Sequence, residues 1–263
     1  MDEPSGKLAL VTGASTGIGY FLAQECANHG YDLIVAADEA RIERAAEALR
    51  RTGVDVRAVE ADLATLEGVD QLREAVEGRP IDLLLANAGR GLGGDFLDQD
   101  FSEARRVVDT NITGTLYLIW RVGSQMRSRG EGRILITGSI GNFMPGAYQA
   151  VFNASEAFLD CFSFALRAEL DDSGVSVTCL MPGATDTEFF ARADMATAGR
   201  AQRMDDPAEV ARMGFEAMMR GDEQDAISGW KSKLQSALAT VGAAARSQPR
   251  QHRKTAPPGP ARR

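Results

Sequence analysis

The 263-residue chain contains only two histidines, His29 and His252. A His-rich metal site and a Ser-His-Asp hydrolase are hard to build from that inventory, so no metal site is expected. Its three cysteines, Cys26, Cys161 and Cys179, are scattered through apolar segments without metal-ligand spacing. They read as buried thiols of a reducing compartment, not as a disulfide framework. Lysine is missing from residues 8–230; the four present are Lys7, Lys231, Lys233 and Lys254. Apolar stretches such as Ile112–Trp120 and Ile134–Ile136 fall well short of the roughly 20 residues of a membrane span. The opening Met1-Asp2-Glu3-Pro4 lacks the basic-then-apolar order of a secretory signal. A cytoplasmic protein with no membrane partner is expected.

What is present has a globular balance, with 44% hydrophobic and 25% charged residues. A chain of this length suits one large α/β domain better than two ordinary domains and a linker. The net charge of −8 is uneven: Ala245–Arg263 carries six basic residues and no acid, which leaves −14 on the preceding 244. An acidic body repels nucleic acid, so none is expected as a partner. The basic end, with Pro249, Pro257, Pro258 and Pro260, reads as a flexible tail over 241–263 that follows a folded domain over 1–240.

Short β-rich runs alternate with longer helical stretches, the signature of βαβ units around a parallel sheet. Strands are expected at Lys7–Val11, Asp32–Ala37, Val54–Glu60, Ile81–Ala86, Arg133–Thr137 and Val175–Met181. Helices are expected at Gly17–Asn28, Glu39–Arg51, Leu66–Glu77, Phe101–Asp109, Ile112–Arg129, Ala147–Asp171 and Pro207–Met219. A short strand and a helix close the domain within Ala226–Thr240. Continuous apolar strands such as Leu83-Leu84-Leu85 suit a sheet covered on both faces. The expected fold is therefore a single-domain, doubly wound parallel α/β sheet of about seven strands. Ligands of such folds bind beyond the carboxyl ends of the strands.

Thr12-Gly13-Ala14-Ser15-Thr16-Gly17-Ile18-Gly19 joins the first strand to the first helix. Gly13 permits the tight turn, while Gly17 and Gly19 let backbone and helix approach a pyrophosphate at the helix N-terminus. The same glycines would also serve a βα turn with no ligand. Asp38 ends the second strand, placed to accept hydrogen bonds from an adenosine ribose and to repel a 2′-phosphate. Glu39 adds a second charge, and no cation follows until Arg41, so NAD is expected over NADP. A solvated acid capping the next helix is the other reading of this pair.

From here the sequence resembles the short-chain dehydrogenase/reductase family, with dinucleotide-binding residues at Gly13, Ser15, Thr16, Gly17, Ile18 and Gly19. Asn87-Ala88-Gly89 is similar to the family's N-A-G stretch, which helps shape the adenine side, and Ala61-Asp62-Leu63 resembles its adenine-contacting segment. Asn111 opens a stretch similar to N-x-x-G with its catalytic asparagine. Ser139 stands where the family keeps a substrate-positioning serine. Pro182-Gly183-Ala184-Thr185-Asp186-Thr187 resembles the P-G-x-x-x-T segment that holds the nicotinamide end. The resemblance runs to about residue 240. It implies hydride transfer between NAD and a small alcohol or carbonyl, and a homodimer or homotetramer paired through the helices at Ile112–Arg129 and Ala147–Asp171. It also makes Glu188–Gln202 a variable, apolar-leaning substrate lid.

The resemblance further implies a Y-x-x-x-K pair thirteen residues after Ser139. Phe152 and Glu156 stand there instead. Phenylalanine has no titratable proton, and general acid/base help is typically worth about 10²–10⁴-fold. An anion at 156 would raise a neighbouring tyrosine's pKa where a lysine lowers it. Tyr148 lies one expected helical turn away, about 6 Å, too far to replace the lost hydroxyl. As a carboxylate, Glu156 can accept hydrogen bonds from the nicotinamide ribose and would favour the cationic oxidised ring, so tighter binding of NAD⁺ than of NADH is expected. Alternatively, Phe152 and Glu156 are a packing residue and a solvent residue of a decayed helix. Three functions compete: an NAD-binding pseudoenzyme, an active oxidoreductase with a non-standard proton donor, and a cofactor-free interaction scaffold.

Overall fold

The computed structural model describes residues 6–140, 147–195 and 204–221, with the backbone of 226–227. Its strands are β1 (Leu8–Thr12), β2 (Asp32–Ala37), β3 (Val56–Glu60), β4 (Leu83–Ala86), β5 (Gly132–Thr137), β6 (Val175–Met181) and β7 (Ala226–Ile227). They form one seven-stranded sheet in the order β3-β2-β1-β4-β5-β6-β7, and every pairing is parallel. This is the doubly wound α/β fold the alternation predicts. Strands β1, β2 and β4 are buried along their whole length, as a sheet covered on both faces requires.

Helices α1 (Gly17–Asn28), α2 (Ile42–Arg50) and α8 (Pro207–Arg220) cover one face. Their Leu22, Ala46 and Phe215 pack on Val11, Val35 and Leu85. The other face carries α3 (Leu66–Ala75), α5 (Thr115–Arg129) and α6 (Ala150–Leu170), whose Leu72, Met126 and Leu159 meet Leu10, Ile34 and Ile136. Alternate strand residues thus feed opposite cores, the period-2 geometry of a strand.

Helices α4 (Phe101–Val108) and α5 do not break between two separate elements as the sequence suggests. A π-helical turn, Asp109–Gly114, joins them with helical backbone throughout. Helix α2 begins at Ile42, leaving Glu39 and Arg41 in the preceding turn. Helix α6 begins at Ala150, later than expected, because Tyr148 adopts a left-handed backbone with φ 65°. Of the closing strand and helix expected in Ala226–Thr240, only the strand falls among the described residues; the 241–263 tail lies outside them.

Candidate active site

The glycine turn occupies the carboxyl end of β1, at the point where the strand order reverses between β1 and β4. A methyl on Gly19 would overlap the carbonyl of Gly13, and one on Gly13 would come within 2.9 Å of Ala88 Cα. Gly17 holds φ 58°. Thr16 precedes α1 without a side-chain cap, whereas Thr65, Asp100 and Asp206 cap α3, α4 and α8. The first turn of α1 therefore presents its N–H groups to the cleft beside Ile18, an arrangement suited to phosphate.

Around this turn lie the expected adenosine residues. Asp38, exposed, follows β2. Glu39 is more tightly engaged: its Oε1 accepts from Ser15 Oγ at 2.6 Å and Arg192 Nη1 at 3.1 Å. Asp62 pairs with Arg106 at 2.9 Å, and Leu63 is buried beside it. Asn87 ties strand ends together. Its backbone and Ala88's donate to Thr12 Oγ1, its Nδ2 donates to Thr12 O at 3.2 Å, and its Oδ1 accepts from Thr137 Oγ1 at 3.1 Å. It shapes the cleft through the scaffold, leaving Gly89 exposed at the end of β4.

On the far side of the turn, the π-helical turn aims Asn111 inward, fully buried. Such turns concentrate at functional sites. Backbone groups of Arg90 grip its amide from both sides: Arg90 N donates to Oδ1 at 2.7 Å and Nδ2 donates to Arg90 O at 3.0 Å. The same Nδ2 reaches Ser155 Oγ at 2.9 Å and Glu156 Oε1 at 3.4 Å. Asn111 does not cap a helix.

Glu156 is not a solvent residue. It is buried, with Asp160 one turn further along α6 and also buried. Loss of hydration, then the charge of Asp160, push its carboxyl up to about 8. The free carboxylate expected from sequence is therefore mostly a neutral acid at pH 7. Gly138 lies so close to Asp160 that a methyl there would overlap Asp160 Oδ1. Ser139 follows at the end of β5, where Ile140 N donates to Pro182 O at 3.1 Å.

Phe152 packs against the ring of Phe189, at a centroid distance of 5.2 Å. Phe189 opens the short helix α7 (Phe189–Arg192). Tyr148 is 66% exposed and lies before the helix, not one turn away on it. The segment from Pro182 to Met195 folds over the cleft. Thr185 Oγ1 donates to Gly183 O, Thr187 Oγ1 accepts from Phe189 N, and Thr187 Cγ2 lies 3.1 Å from where a Gly17 methyl would stand. Glu188 bonds Arg41 and Arg192 at 2.9 Å each, so an ion cluster with Glu39 links α7 to the phosphate turn.

The region 7–197 matches the short chain dehydrogenase family model. The chain belongs to the short-chain dehydrogenase/reductase family. Oxidoreductase UcpA of Salmonella typhimurium is 32% identical over 252 residues, 89% of this chain and 95% of that one. A short-chain dehydrogenase from Sphingobium yanoikuyae in complex with NADPH superposes with a TM-score of 0.82 at 28% identity, over 97% of this chain and 98% of that one. A 3-ketoacyl-(acyl-carrier-protein) reductase from Brucella melitensis complexed with NADH gives 0.75 at 25% identity, over 86% and 96%. This short-chain dehydrogenase/reductase thus belongs to an oxidoreductase family whose structures hold either dinucleotide.

Sequence reading missed Ser155, Asp160 and the Arg90 backbone clamp. Asp160 carried a signal: it stands four residues after Glu156, on the same helix face. The ion cluster carried none, because Arg192 and Glu39 are 153 residues apart.

Among the described residues no group of three His, Cys, Asp or Glu side chains is placed to hold a metal ion. Nor is any helix there long and apolar enough to cross a membrane.

Proposed function

We propose that this protein binds NAD in the cleft above β1 and β4 and lacks the acid/base half of its family's hydride-transfer chemistry. The observation that carries the reading is the pairing of Phe152 with Phe189 beside an intact glycine turn. When bound, NAD supplies a hydride donor or acceptor. Gly13, Ser15, Thr16, Gly17, Ile18 and Gly19 would hold the pyrophosphate, and Asp38, Asp62 and Leu63 the adenosine. Asn87, Ala88 and Gly89 would line the floor, with Glu156, Pro182, Gly183, Thr185 and Thr187 toward the nicotinamide. The close approaches at Gly13 and Gly19 fit a backbone cradle that no side chain could share. Asp38 and Glu39 disfavour a 2′-phosphate, while Arg41 and Arg192 are already engaged by Glu39 and Glu188. NAD is accordingly preferred over NADP.

One observation favours the second reading, an active oxidoreductase on a small alcohol or carbonyl with an unusual proton donor. Glu156 keeps a proton near neutral pH and lies 3.4 Å from Asn111. Ser139 and Asn111 would then position the substrate. Exposed Phe101, Trp120 and Phe158 on α4, α5 and α6 support pairing of two copies. Thermal unfolding with each of the four dinucleotides tests the cofactor assignment; a shift with NAD⁺ supports it, and its absence with all four leaves the scaffold reading.

A further inference from the structure

We propose that Glu156 is the residue that selects between the redox states of the dinucleotide, by releasing its proton to solvent when NAD⁺ binds and keeping it when NADH binds. The inference rests on the NAD-binding reading above and adds a coupled proton to it.

The sheet order bears on where the two halves of a dinucleotide would go. With the phosphate turn on β1, the adenosine half would lie over β2 and β3, and the other half would cross toward β4, β5 and β6. Gly89, exposed at the end of β4, is on that side. Glu156 lies just beneath it, with Oε1 3.9 Å from where a Gly89 methyl would stand. The carboxyl is thus separated from the nicotinamide half of the cleft by a backbone that carries no side chain.

The groups around Glu156 favour its neutral form. Asp160, on the same helix, adds negative charge, and Cys179 on β6 contacts that acid at 3.4 Å. The π-helical turn contributes the neutral amide of Asn111. The β4–α4 loop contributes the backbone of Arg90, whose guanidinium turns away to Glu103 at 2.8 Å. The family's cation is missing here, and no lysine exists in residues 8–230 to replace it. Burial and the neighbouring charge of Asp160 hold the carboxyl protonated, and here the titration lies near pH 8. The oxidised nicotinamide ring brings a fixed positive charge; the reduced ring brings none. A cation in that half of the cleft would favour the carboxylate, so the O–H bond of Glu156 breaks, its electron pair stays on the carboxylate, and the proton leaves to buffer. Nothing is oxidised or reduced in the step.

The sign of the pH dependence follows from linkage. A group that loses a proton on binding makes binding tighter as pH rises, by up to about tenfold per pH unit, until the free protein has itself lost the proton. NAD⁺ affinity therefore climbs through neutral pH and levels off above about 8, while NADH affinity stays flat.

The test is titration calorimetry of the full chain with NAD⁺ and with NADH, in HEPES and in Tris, from about pH 6 to about pH 9. The apparent enthalpy of NAD⁺ binding is expected to differ between the buffers by the release of up to about one proton near pH 7, with Kd falling as pH rises. NADH should show neither effect. Glu156→Gln, which keeps the shape and an acceptor for Asn111, should bind both forms without buffer or pH dependence. Proton-neutral, pH-independent NAD⁺ binding by the wild type overturns the inference and leaves the NAD assignment standing. So does equal proton release with NADH. Failure of both dinucleotides to bind overturns the NAD reading and this inference together. The wild-type comparison decides the matter even if the variant does not fold.

Discussion

The ring of Phe152 packs against that of Phe189 at 5.2 Å and an interplanar angle of 47°, joining the helix that should carry catalysis to the segment folded over the cleft. By the family resemblance, the contact would put hydrocarbon at the position of the proton donor. On the proposed reading, Asn111 and Ser139 are kept while Phe152 and Glu156 replace the proton-handling pair.

Restoring that pair is the direct test of the loss. Phe152→Tyr with Glu156→Lys puts a titratable hydroxyl and a cation back, the latter beside buried Asp160. NAD-dependent turnover of secondary alcohols or ketones, followed by NADH absorbance, should rise about 100-fold or more over the unaltered chain. Substantial turnover by the unaltered chain that the double substitution fails to raise would favour a non-standard donor.

Glu156 should also make stability fall with pH. Its folded-state pKa, about 8, lies above the unfolded value of about 4.5, so the native state binds the extra proton between them. The contribution is fully present below about pH 4.5 and is lost as pH rises through about 8. Glu156→Gln should remove this slope and be more stable than the parent at pH 8, on the order of a few kcal/mol, in denaturant titrations. Parallel pH profiles for the two proteins would contradict the buried-acid assignment.

Gly19→Ala should damage the cradle itself. Its methyl overlaps the Gly13 carbonyl, so turn and helix must separate, at a cost of about 1–3 kcal/mol. A lower Tm and no stabilisation by NAD⁺ are expected in a thermal scan. A variant that is still stabilised by NAD⁺ as strongly as the parent would show that the turn does not hold the dinucleotide.

Trp120→Glu tests the pairing face. Trp120 is 63% exposed, stacked on Tyr117 at 6.0 Å, and a charge there need disturb little inside one copy. Sedimentation should show the parent as a dimer or larger and the variant as a monomer, with intrinsic stability changed by less than about 0.5 kcal/mol. A monomeric parent would refute the pairing.

The fold was legible because period-2 burial and glycine punctuation are local signals. Leu83-Leu84-Leu85 is read as a doubly covered strand, and it is one. Boundaries slipped where a local conformation overrides composition, as at Tyr148 with its positive φ and in the π-helical turn around Asn111. Motif order is what assigns the proposed site residues along the chain, including the register that would put Phe152 and Glu156 at the altered positions. Their chemistry was less legible. The protonation of Glu156 depends on burial and on Asp160, and the partner of Phe152 is Phe189, 37 residues away in a segment whose path only the folded chain defines.

The central claim, a retained NAD site, is tested most directly by thermal unfolding at pH 8 with NAD⁺, NADH, NADP⁺ and NADPH. At about 100 times its dissociation constant a ligand adds about 2.7 kcal/mol, a shift of several degrees for a chain of this size. Such a shift is expected with NAD⁺, a smaller one with NADH at equal concentration, and little or none with the phosphorylated forms. Equal or larger shifts with NADP⁺ and NADPH, or none with any of the four, would contradict it.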